Sequence, residues 1–440
     1  MKNLFVLALL FISLCAEEAI HREQEEVGLI HSKQVGRYKV MITAPVNAET
    51  FDQAFDQLKP YVTFRLANIT TREEALQDFN IDEKKTAGTA VGGIFGFDTA
   101  SLYGCSLRIA AYTSQKVHAL NSSDPINQNS QLFDAEGNSY AYIGEAGIVY
   151  KNTRFQAMAG RIRIDTPYAD SDDIRMSPNS FQGAWGALDI SNDLQAQAYF
   201  LTGWAGVDSG DDQNVFKPLI DDGYGIAGGA LIYKPNENGI SFWYYNMDKV
   251  ADVFYAEASG EQFVTGNFHI EWGVQGAHIR ERSDSGVYGS VIGTVLIFEY
   301  KSAYFGIAYN RVFTGSSSRV TDGFGSGPYY TSLDKQTIGN VSALAPGKDL
   351  NAYRLNLGFE LTPLGIKGLN IELLHGHFAL ADSAVEVEES DVALSYAITN
   401  RWHLESIYST VDLMNIDYTN PDNRVLRDFQ RLVTRLDYSF

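Results

Sequence analysis

The segment 166–179 contains side chains whose types could act on a charged molecule: Tyr168, Asp170, Asp172, Asp173 and Arg175. Carboxylates facing basic groups set up a transverse electric field, which orients charged or zwitterionic solutes instead of breaking their bonds. The alternative is an anchoring role, with Asp173 and Arg175 hydrogen-bonded to the surrounding protein. We expect anchoring for Arg175, and a solute-facing position for Asp170 and Asp172.

Seven arginines occupy the polar side of strand-like stretches: Arg65, Arg108, Arg161, Arg163, Arg354, Arg431 and Arg435. Arginine stays charged and its planar fork fits carboxylates, so such a row could attract acidic solutes. Each arginine could instead pair with an acid of the same wall, such as Glu145, Glu299, Glu360, Glu372 or Asp437. We expect the ion pair for any single arginine and a partly basic wall for the group.

Enzymatic chemistry finds little support. The sequence has no Gly-x-Ser-x-Gly nucleophile elbow and no His-x-x-x-His metal spacing. His375 and His377 share one strand face but lack an evident third ligand. The formal net charge of −20 disfavours nucleic acid, whose phosphates it would repel. We therefore predict no enzyme, no cofactor, no metal and no nucleic-acid partner.

The first residues predict export. A positive start and an apolar run up to Leu14 precede Cys15-Ala16, which indicates a signal peptide over 1–16. A spanning helix would need about 20 apolar residues, and this run is shorter. Cys105 then stands alone, so no internal disulfide is expected. Segment 17–59 is predicted to be periplasmic, with a short amphipathic helix near Phe51, Phe55 and Leu58.

From residue 60 to 440, strand-like runs alternate with two kinds of connection. Some are tight turns, at 151–153, 191–193, 235–239, 301–303 and 399–400; others are long polar loops, at 116–138, 206–221, 315–350 and 415–425. This sorting is typical of an outer-membrane barrel, with turns in the periplasm and loops outside. We predict about eighteen strands, beginning at 60–70 and ending at 426–440.

Alternating side chains indicate which face each strand shows to lipid. In 351–362, Tyr353, Leu355 and Leu357 share one face while Arg354 and Asn356 share the other. A barrel of eighteen strands encloses a lumen too wide for wall side chains to fill, so its polar face meets water. The apolar face then faces lipid, and closure leaves no unpaired edge strand. The fold class is therefore an all-β transmembrane antiparallel barrel.

Two stretches resemble OprD-family outer-membrane porins. Residues 88–97, GTAVGGIFGF, with Leu102-Tyr103-Gly104, look like the second and third strands of that family. Residues 172–183, DDIRMSPNSFQG, are similar to its Asp-x-Arg-Leu-x-Pro-x-x-Phe-x-Gly signature, and 150–155 and 300–305 resemble its turns. The resemblance implies an eighteen-strand, solute-selective channel with a loop between strands 5 and 6 folded inward and a ladder of basic side chains, here of an epsilonproteobacterial-type branch. Met176-Ser177 and the acidic stretch after the signal depart from the family pattern.

The last strand ends in an aromatic pattern that resembles the signal of the barrel assembly machinery: Leu436, Tyr438 and Phe440. Together these features predict a passive porin in the Gram-negative outer membrane for small hydrophilic or charged solutes and ions, of carboxylate or amino-acid type. Expected partners are outer-membrane lipid, lipopolysaccharide and the assembly machinery, with a homotrimer left open. An outer-membrane enzyme or an adhesin built on a barrel is the alternative.

Overall fold

The computed structural model describes residues 46–210, 212–236, 238–419, 423–424 and 426–440. The predicted signal peptide and most of segment 17–59 lie outside the described residues. Within the described part of the chain, no helix is both long enough and apolar enough to cross a membrane.

Eighteen long strands make up the molecule, as the alternation predicted: β1 Lys59–Glu73, β2 Lys84–Asp98, β3 Cys105–Lys116, β4 Tyr140–Lys151, β5 Phe155–Ile162, β6 Ser180–Asp189, β7 Leu194–Ala205, β8 Ile226–Tyr233, β9 Gly239–Met247, β10 Ala251–Thr265, β11 Phe268–Glu281, β12 Gly289–Tyr300, β13 Ala303–Phe313, β14 Leu350–Glu360, β15 Leu369–Leu380, β16 Glu386–Ala397, β17 Trp402–Met414 and β18 Phe429–Ser439. Three two-residue strands accompany them: Asn47–Ala48, Ser101–Leu102 and Lys217–Pro218.

The sheet closes on itself. Each long strand pairs antiparallel with the next along the chain, and β18 pairs antiparallel with β1, with Thr63 opposite Ser439 and Glu73 opposite Phe429. Closure gives every strand two hydrogen-bonded neighbours, so no strand edge has to be satisfied by water. The predicted all-β barrel of eighteen strands is confirmed.

Strand β14 shows how the alternation builds two different surfaces. Tyr353, Leu355 and Leu357 are 39–48% exposed on the outer face, whereas Arg354 and Asn356 are 2% and 4% exposed on the inner face. Consecutive side chains of a strand point to opposite faces, so one sequence period fixes both surfaces. The outside is an apolar belt and the inside is polar, as the sequence pattern indicates.

The connections divide the barrel into two ends. Eight short connections lie at the end that carries the C-terminus, called here the turn end: 99–104, 152–154, 190–193, 234–238, 266–267, 301–302, 361–368 and 398–401. The opposite loop end carries nine connections, including the long ones at 117–139, 206–225, 314–349 and 415–428. Helix α1, Phe51–Asp56, lies at the turn end, where Ala54 packs against Ala100.

Two loops from the loop end fold into the barrel. They are the β5–β6 loop, 163–179, and the β13–β14 loop, 314–349, which contains helix α2, Ile338–Ser342. Their buried side chains include Tyr168, Tyr329 and Val341, each 0% exposed. The β13–β14 loop was predicted to lie outside the barrel, and this prediction is wrong. Its aromatic and aliphatic side chains leave water by filling a lumen that the wall cannot fill.

Candidate functional site

The β5–β6 loop spans the full width of the barrel. At one side, Asp173 forms an ion pair with Arg65 on β1. At the other side, the Tyr168 ring lies 5.2 Å from the ring of Tyr245 on β9 and 6.0 Å from that of Tyr255 on β10. In a closed ring of eighteen strands, β1 and β10 are diametrically opposed. The loop between strands 5 and 6 therefore crosses the lumen.

Asp173 fixes the loop to the wall through arginines. Arg65 donates to Asp173 Oδ2 over 2.8 Å, Arg163 lies 3.5 Å away, and Arg435 on β18 donates to the backbone carbonyl of Asp173. Burial alone would raise the pKa of Asp173, but Arg65 and Arg163 outweigh it and hold the pKa well below its usual range. Asp173 is thus an ionised anchor, which is the structural role that the sequence left as an alternative.

Asp172 and Asp170 lie nearer the space between the loops. Asp172 has a φ of 40°, in the left-handed region, and its backbone N–H donates to Asp170 Oδ1 over 2.9 Å. Burial, together with the nearby carboxylates of Asp208 and Asp170, raises the pKa of Asp172 well above its usual range. Asp170 also accepts a hydrogen bond from Ser326 of the β13–β14 loop. Both carboxylates therefore lie at the junction of the two inward loops.

The two inward loops are joined by backbone and phenol contacts. The hydroxyls of Tyr168 and Tyr329 lie 2.8 Å apart. Phe324 donates from its backbone N–H to Tyr168 O over 3.0 Å, and its carbonyl accepts from Asp170 N–H over 2.9 Å. These reciprocal bonds form a short bridge between Ala169 and Phe324. The loops therefore act as one internal partition.

Asp334 connects the β13–β14 loop to strands β17 and β18. Its Oδ2 accepts from Arg431 Nε on β18 over 2.9 Å and from Ser409 Oγ on β17 over 2.7 Å. Its Oδ1 lies 3.7 Å from Arg175 Nη2 of the β5–β6 loop. Burial would raise the pKa of Asp334, but Arg431 and Arg175 prevail and hold it well below the usual range. One carboxylate thus connects both loops and two strands.

Two further wall carboxylates, Glu389 and Glu257, accept hydrogen bonds from the same loop. Glu389 on β16 accepts from the backbone N–H groups of Lys335 and Gln336 over 2.8 and 2.6 Å. Glu257 on β10 accepts from the Tyr330 hydroxyl over 2.8 Å. Charged acceptors strengthen such bonds, so the loop is held at both sides of the lumen.

A cavity of about 390 Å³ lies between the two loops. Four basic and four acidic side chains line it: Arg175, Arg319, Lys335 and Arg431, with Asp172, Asp208, Asp322 and Asp334. Mixed charge in a confined space can orient a solute that carries a carboxylate, because the basic groups attract it and the acidic groups repel it.

Burial shifts the pKa values of several charged groups that line this cavity. It lowers the pKa of Arg175 to about 10, assisted by the neighbouring Arg431. It also lowers the pKa of Lys335, again with Arg431 nearby. The pKa of Asp322 is raised by burial to about 6, although Thr337 and Gly339 donate hydrogen bonds to its carboxylate.

Most of the predicted wall arginines point inward. Arg65, Arg354, Arg431 and Arg435 are at most 4% exposed. Arg354 donates to Ser332 O over 2.8 Å, and Arg435 donates to Glu405 over 2.9 Å. Arg65, Arg431 and Arg435 each lie in an ion pair, whereas the hydrogen bond of Arg354 goes to a backbone carbonyl instead of the expected acid. Of the seven predicted arginines, Arg431 is the one that lines the cavity.

Arg108 and Arg161 lie on opposite faces of the barrel wall. Arg108 lies half-buried on the inner face and donates to both oxygens of Asp98 over 2.7 and 2.8 Å. The prediction of Arg161 as a pore-wall residue is wrong. Arg161 is directly opposite the exposed Gln182, whereas the adjacent Ile162 is buried. Because opposite residues share a face, Arg161 lies on the outer face, with its guanidinium 4.2 Å from the Phe216 ring.

Two of the five acids proposed as wall partners, Glu145 and Asp437, lie within 4 Å of a predicted arginine. Glu145 accepts from the hydroxyls of Tyr61 and Tyr112 over 2.9 and 2.8 Å and lies 3.9 Å from Arg108. Asp437 lies 3.2 Å from Arg435 Nε and 3.5 Å from Arg65 Nε. Glu372 instead accepts from the Asn356 amide, Glu360 is exposed at the turn end, and Glu299 approaches His269.

The C-terminal aromatic residues lie on the outer face at the turn end. The Tyr438 ring is 4.7 Å from the Trp402 ring and 4.9 Å from the Phe440 ring. Leu436 shares this face, since it alternates with the buried Arg435. His375 also faces outward, between the buried Leu374 and Gly376.

Sequence reasoning missed the residues of the second loop: Asp322, Tyr329, Tyr330, Asp334 and Lys335. One signal could have found them. A 36-residue connection from 314 to 349 is far longer than most loops, and connections of that length usually carry function. Its adjacent tyrosines and the apolar Leu333, Ile338 and Val341 also indicate burial.

No protein-family model and no curated protein matches this chain. Solved structures match in fold. OccK9 (OpdG) of Pseudomonas aeruginosa has a TM-score of 0.74 at 14% identity, over 88% of this chain and 99% of that one. OpdK of Pseudomonas aeruginosa, solved with vanillate, has a TM-score of 0.70 at 14% identity, over 88% and 99%. OccK2 (OpdF) of the same organism, solved with glucuronate, has a TM-score of 0.67 at 12% identity, over 90% and 99%.

Proposed function

We propose that this chain is an outer-membrane porin of the OprD type, a passive channel for small hydrophilic solutes and ions. The observation that carries the proposal is the closed barrel of eighteen strands, crossed by two inward loops that frame a charged cavity. An apolar belt outside and charged groups inside are what a water-filled path through lipid requires. The likeness to Occ channels supports the fold, while the epsilonproteobacterial-type branch stays a prediction.

A solute carrying a carboxylate suits the charges of the cavity. Arg175, Arg431 and Lys335 line it, and arginine in particular forks onto carboxylates. Two of the fold neighbours were solved with vanillate and glucuronate, which are both carboxylates. Asp322, which belongs to the same lining, would repel the carboxylate of an entering solute toward these basic groups. We infer selectivity for small organic anions and amino-acid-like zwitterions.

The outer surface supports a location in the outer membrane. Leu355, Phe305 and Phe242 are among many exposed apolar side chains on the outer face, at 43%, 43% and 53% exposure. Such a belt is stable only against lipid. The outward cluster of Trp402, Tyr438 and Phe440 lies at the turn end and fits both an interfacial girdle and an assembly signal. Lipid, lipopolysaccharide and the assembly machinery are the partners this implies.

Single-channel recording in a planar bilayer tests the proposal. The folded protein should give stable ohmic steps, and its reversal potential in a KCl gradient should have the sign of anion preference. Lys335→Gln should move that potential toward cation preference, since it removes one of four basic groups from the cavity and leaves the backbone bonds to Glu389 in place. Lys301→Gln is the matched control, because Lys301 is exposed at the turn end.

The outcomes separate the alternatives. A shift with Lys335→Gln but not with Lys301→Gln supports a path through the cavity. Equal behaviour of the two variants would refute that path. A protein shown to be folded and inserted that passes no current would refute the porin itself, and the enzyme and adhesin alternatives would then be tested instead.

A further inference from the structure

One histidine and three glutamates meet on the inner wall near the turn end, whereas the two inward loops enter from the loop end. His269 Nε2 lies 3.4 Å from Glu261 Oε1, 3.7 Å from Glu271 Oε1 and 3.2 Å from Glu299 Oε2. All four side chains are 15–26% exposed, so they are accessible to a small ion but largely shielded from bulk water.

The register of three neighbouring strands produces this arrangement. Glu261 on β10 is directly opposite Glu271 on β11, and His269 on β11 is directly opposite Glu299 on β12. Directly opposite side chains lie on one face with their Cβ atoms about 5 Å apart. Glu261 follows the buried Glu257 and Ser259 at alternate positions of β10, so the common face is the inner one. The geometry is therefore fixed by the barrel backbone.

The arrangement places like charges together. Carboxylates directly opposite each other, as Glu261 and Glu271 are, destabilise a strand pair. At two other positions on the inner wall a carboxylate lies beside an arginine: Asp98 beside Arg108 and Glu405 beside Arg435. Here an imidazole, that of His269, lies within 3.7 Å of an oxygen of each carboxylate, and it is neutral or carries at most one positive charge.

The spacing of the donor atoms matches that around a transition-metal ion. His269, Glu271 and Glu299 each offer one ligand atom, and these atoms lie within 4.8 Å of one another. A tetrahedral Zn²⁺ site with bonds of about 2.05 Å has ligand atoms about 3.3 Å apart. The three distances from His269 Nε2 fall close to that value. Calcium prefers oxygen ligands at longer distances, so an imidazole in the set favours a metal of the zinc class.

We propose that His269, Glu271 and Glu299, with Glu261 as a fourth donor, form a binding site for a divalent transition-metal ion of the zinc class. This differs from the sequence-based expectation of no metal. A bound dication neutralises most of the negative charge of the three carboxylates and links β10, β11 and β12 beside the turn 266–267. It therefore stabilises the turn end of the barrel and makes the adjacent inner wall less repulsive to anions.

Zinc binding to the folded, full-length mature chain in detergent tests the proposal. Calorimetric titration with Zn²⁺ should show one saturable site, and His269→Gln and Glu299→Gln should each weaken it at least about tenfold, since even second-shell losses cost that much. His278→Gln is the matched control, because His278 lies on the same strand but on the outer, exposed face. Heat-modified mobility on electrophoresis verifies that every variant is folded.

A second measurement distinguishes this site from zinc bound elsewhere. The thermal midpoint of the unmutated protein should rise with Zn²⁺ concentration, because a ligand that binds only the native state stabilises it. That rise should vanish in His269→Gln and persist in His278→Gln. Absence of binding to the folded protein would overturn the proposal. Binding that survives His269→Gln, or Ca²⁺ binding as tightly as Zn²⁺, would overturn it too.

Discussion

Replacing Asp334 by Asn should release the β13–β14 loop from the barrel wall. Asp334 lies 2.9 Å from Arg431 Nε and 3.7 Å from Arg175 Nη2, and the side chains of all three are only 2–3% exposed. Removing one member of a buried ion pair leaves its partner charged and uncompensated, which costs about 3–5 kcal/mol. Solvent screening is small at this burial, so the full range applies.

That cost changes the population of the inward loop conformation. Since each 1.4 kcal/mol is a factor of ten, a cost of about 3–5 kcal/mol should lower the ratio of inward to released loop by roughly 10² to 4 × 10³. We expect larger and noisier single-channel steps from Asp334→Asn, together with faster proteolysis within 314–349. The barrel itself should remain folded, because its strands keep their backbone pairing.

Asp349→Asn is the matched control at the end of the same loop. Asp349 lies 3.1 Å from Arg311, but these side chains are 32% and 26% exposed, and such solvent-accessible pairs contribute about 0.2–1 kcal/mol. The double variant of Asp334→Asn with Arg431→Gln should recover part of the loss, since it leaves fewer uncompensated charges. If Asp334→Asn behaves like Asp349→Asn in both assays, the loop is not held by this ion pair.

Lowering the pH should release the β13–β14 loop as Asp334→Asn does, because it protonates the Asp334 carboxylate. The pKa of Asp334 in the folded protein is held below that of the unfolded chain by Arg431 and Arg175. Its stabilising contribution is therefore complete above a pH of about 4 and is lost as the pH falls further. Glu389 and Asp391 face the same loop, so a comparison with Asp334→Asn isolates the share of Asp334. An unchanged acid response in that variant would contradict this assignment.

Three further predictions concern other parts of the molecule. Gly93→Ala should sharply reduce the folded fraction seen by electrophoresis, because Gly93 has a φ of 119° and an added Cβ would lie 2.0 Å from Thr63 O; Gly266→Ala, with open space around it, should fold normally. Phe440→Ala should lower barrel assembly in cells but not refolding in detergent, whereas the equally exposed Phe359→Ala should affect neither. Burial raises the pKa of Asp322 to about 6, so its ionised form destabilises the folded β13–β14 loop at pH 7. Asp322→Asn should therefore slow hydrogen exchange of this loop at pH 7 and leave it unchanged near pH 4. Slower exchange at pH 4 as well would point to a cause other than charge.

Local periodicity was sufficient to predict the wall of the barrel. The stretch 351–362 was predicted as a strand and β14 spans Leu350–Glu360, with the predicted outward residues outside. A strand in a lipid-facing barrel must alternate along its whole length, so its sequence carries its own orientation.

The error at Arg161 shows where local periodicity ends. Arg161 and Arg163 share a parity and were both predicted to face the lumen. Strand β5 ends at Ile162, so Arg161 obeys the alternation and faces outward, while Arg163 has left the strand and reaches Asp173. Arg161 has the parity of the exposed Phe155, so its side follows from the alternation, and the end of the strand at Ile162 explains only why Arg163 departs from it.

The sequence by itself determined the closed wall and its apolar outer belt. Only the tertiary structure decided that the β13–β14 loop also enters the lumen, and that Asp334 meets Arg175 and Arg431. It also decided that His269 meets three glutamates. Strand alternation is a short-range property written in consecutive residues. Loop docking depends on charges that lie from 97 to 159 positions apart in the chain and meet only once the sheet has closed.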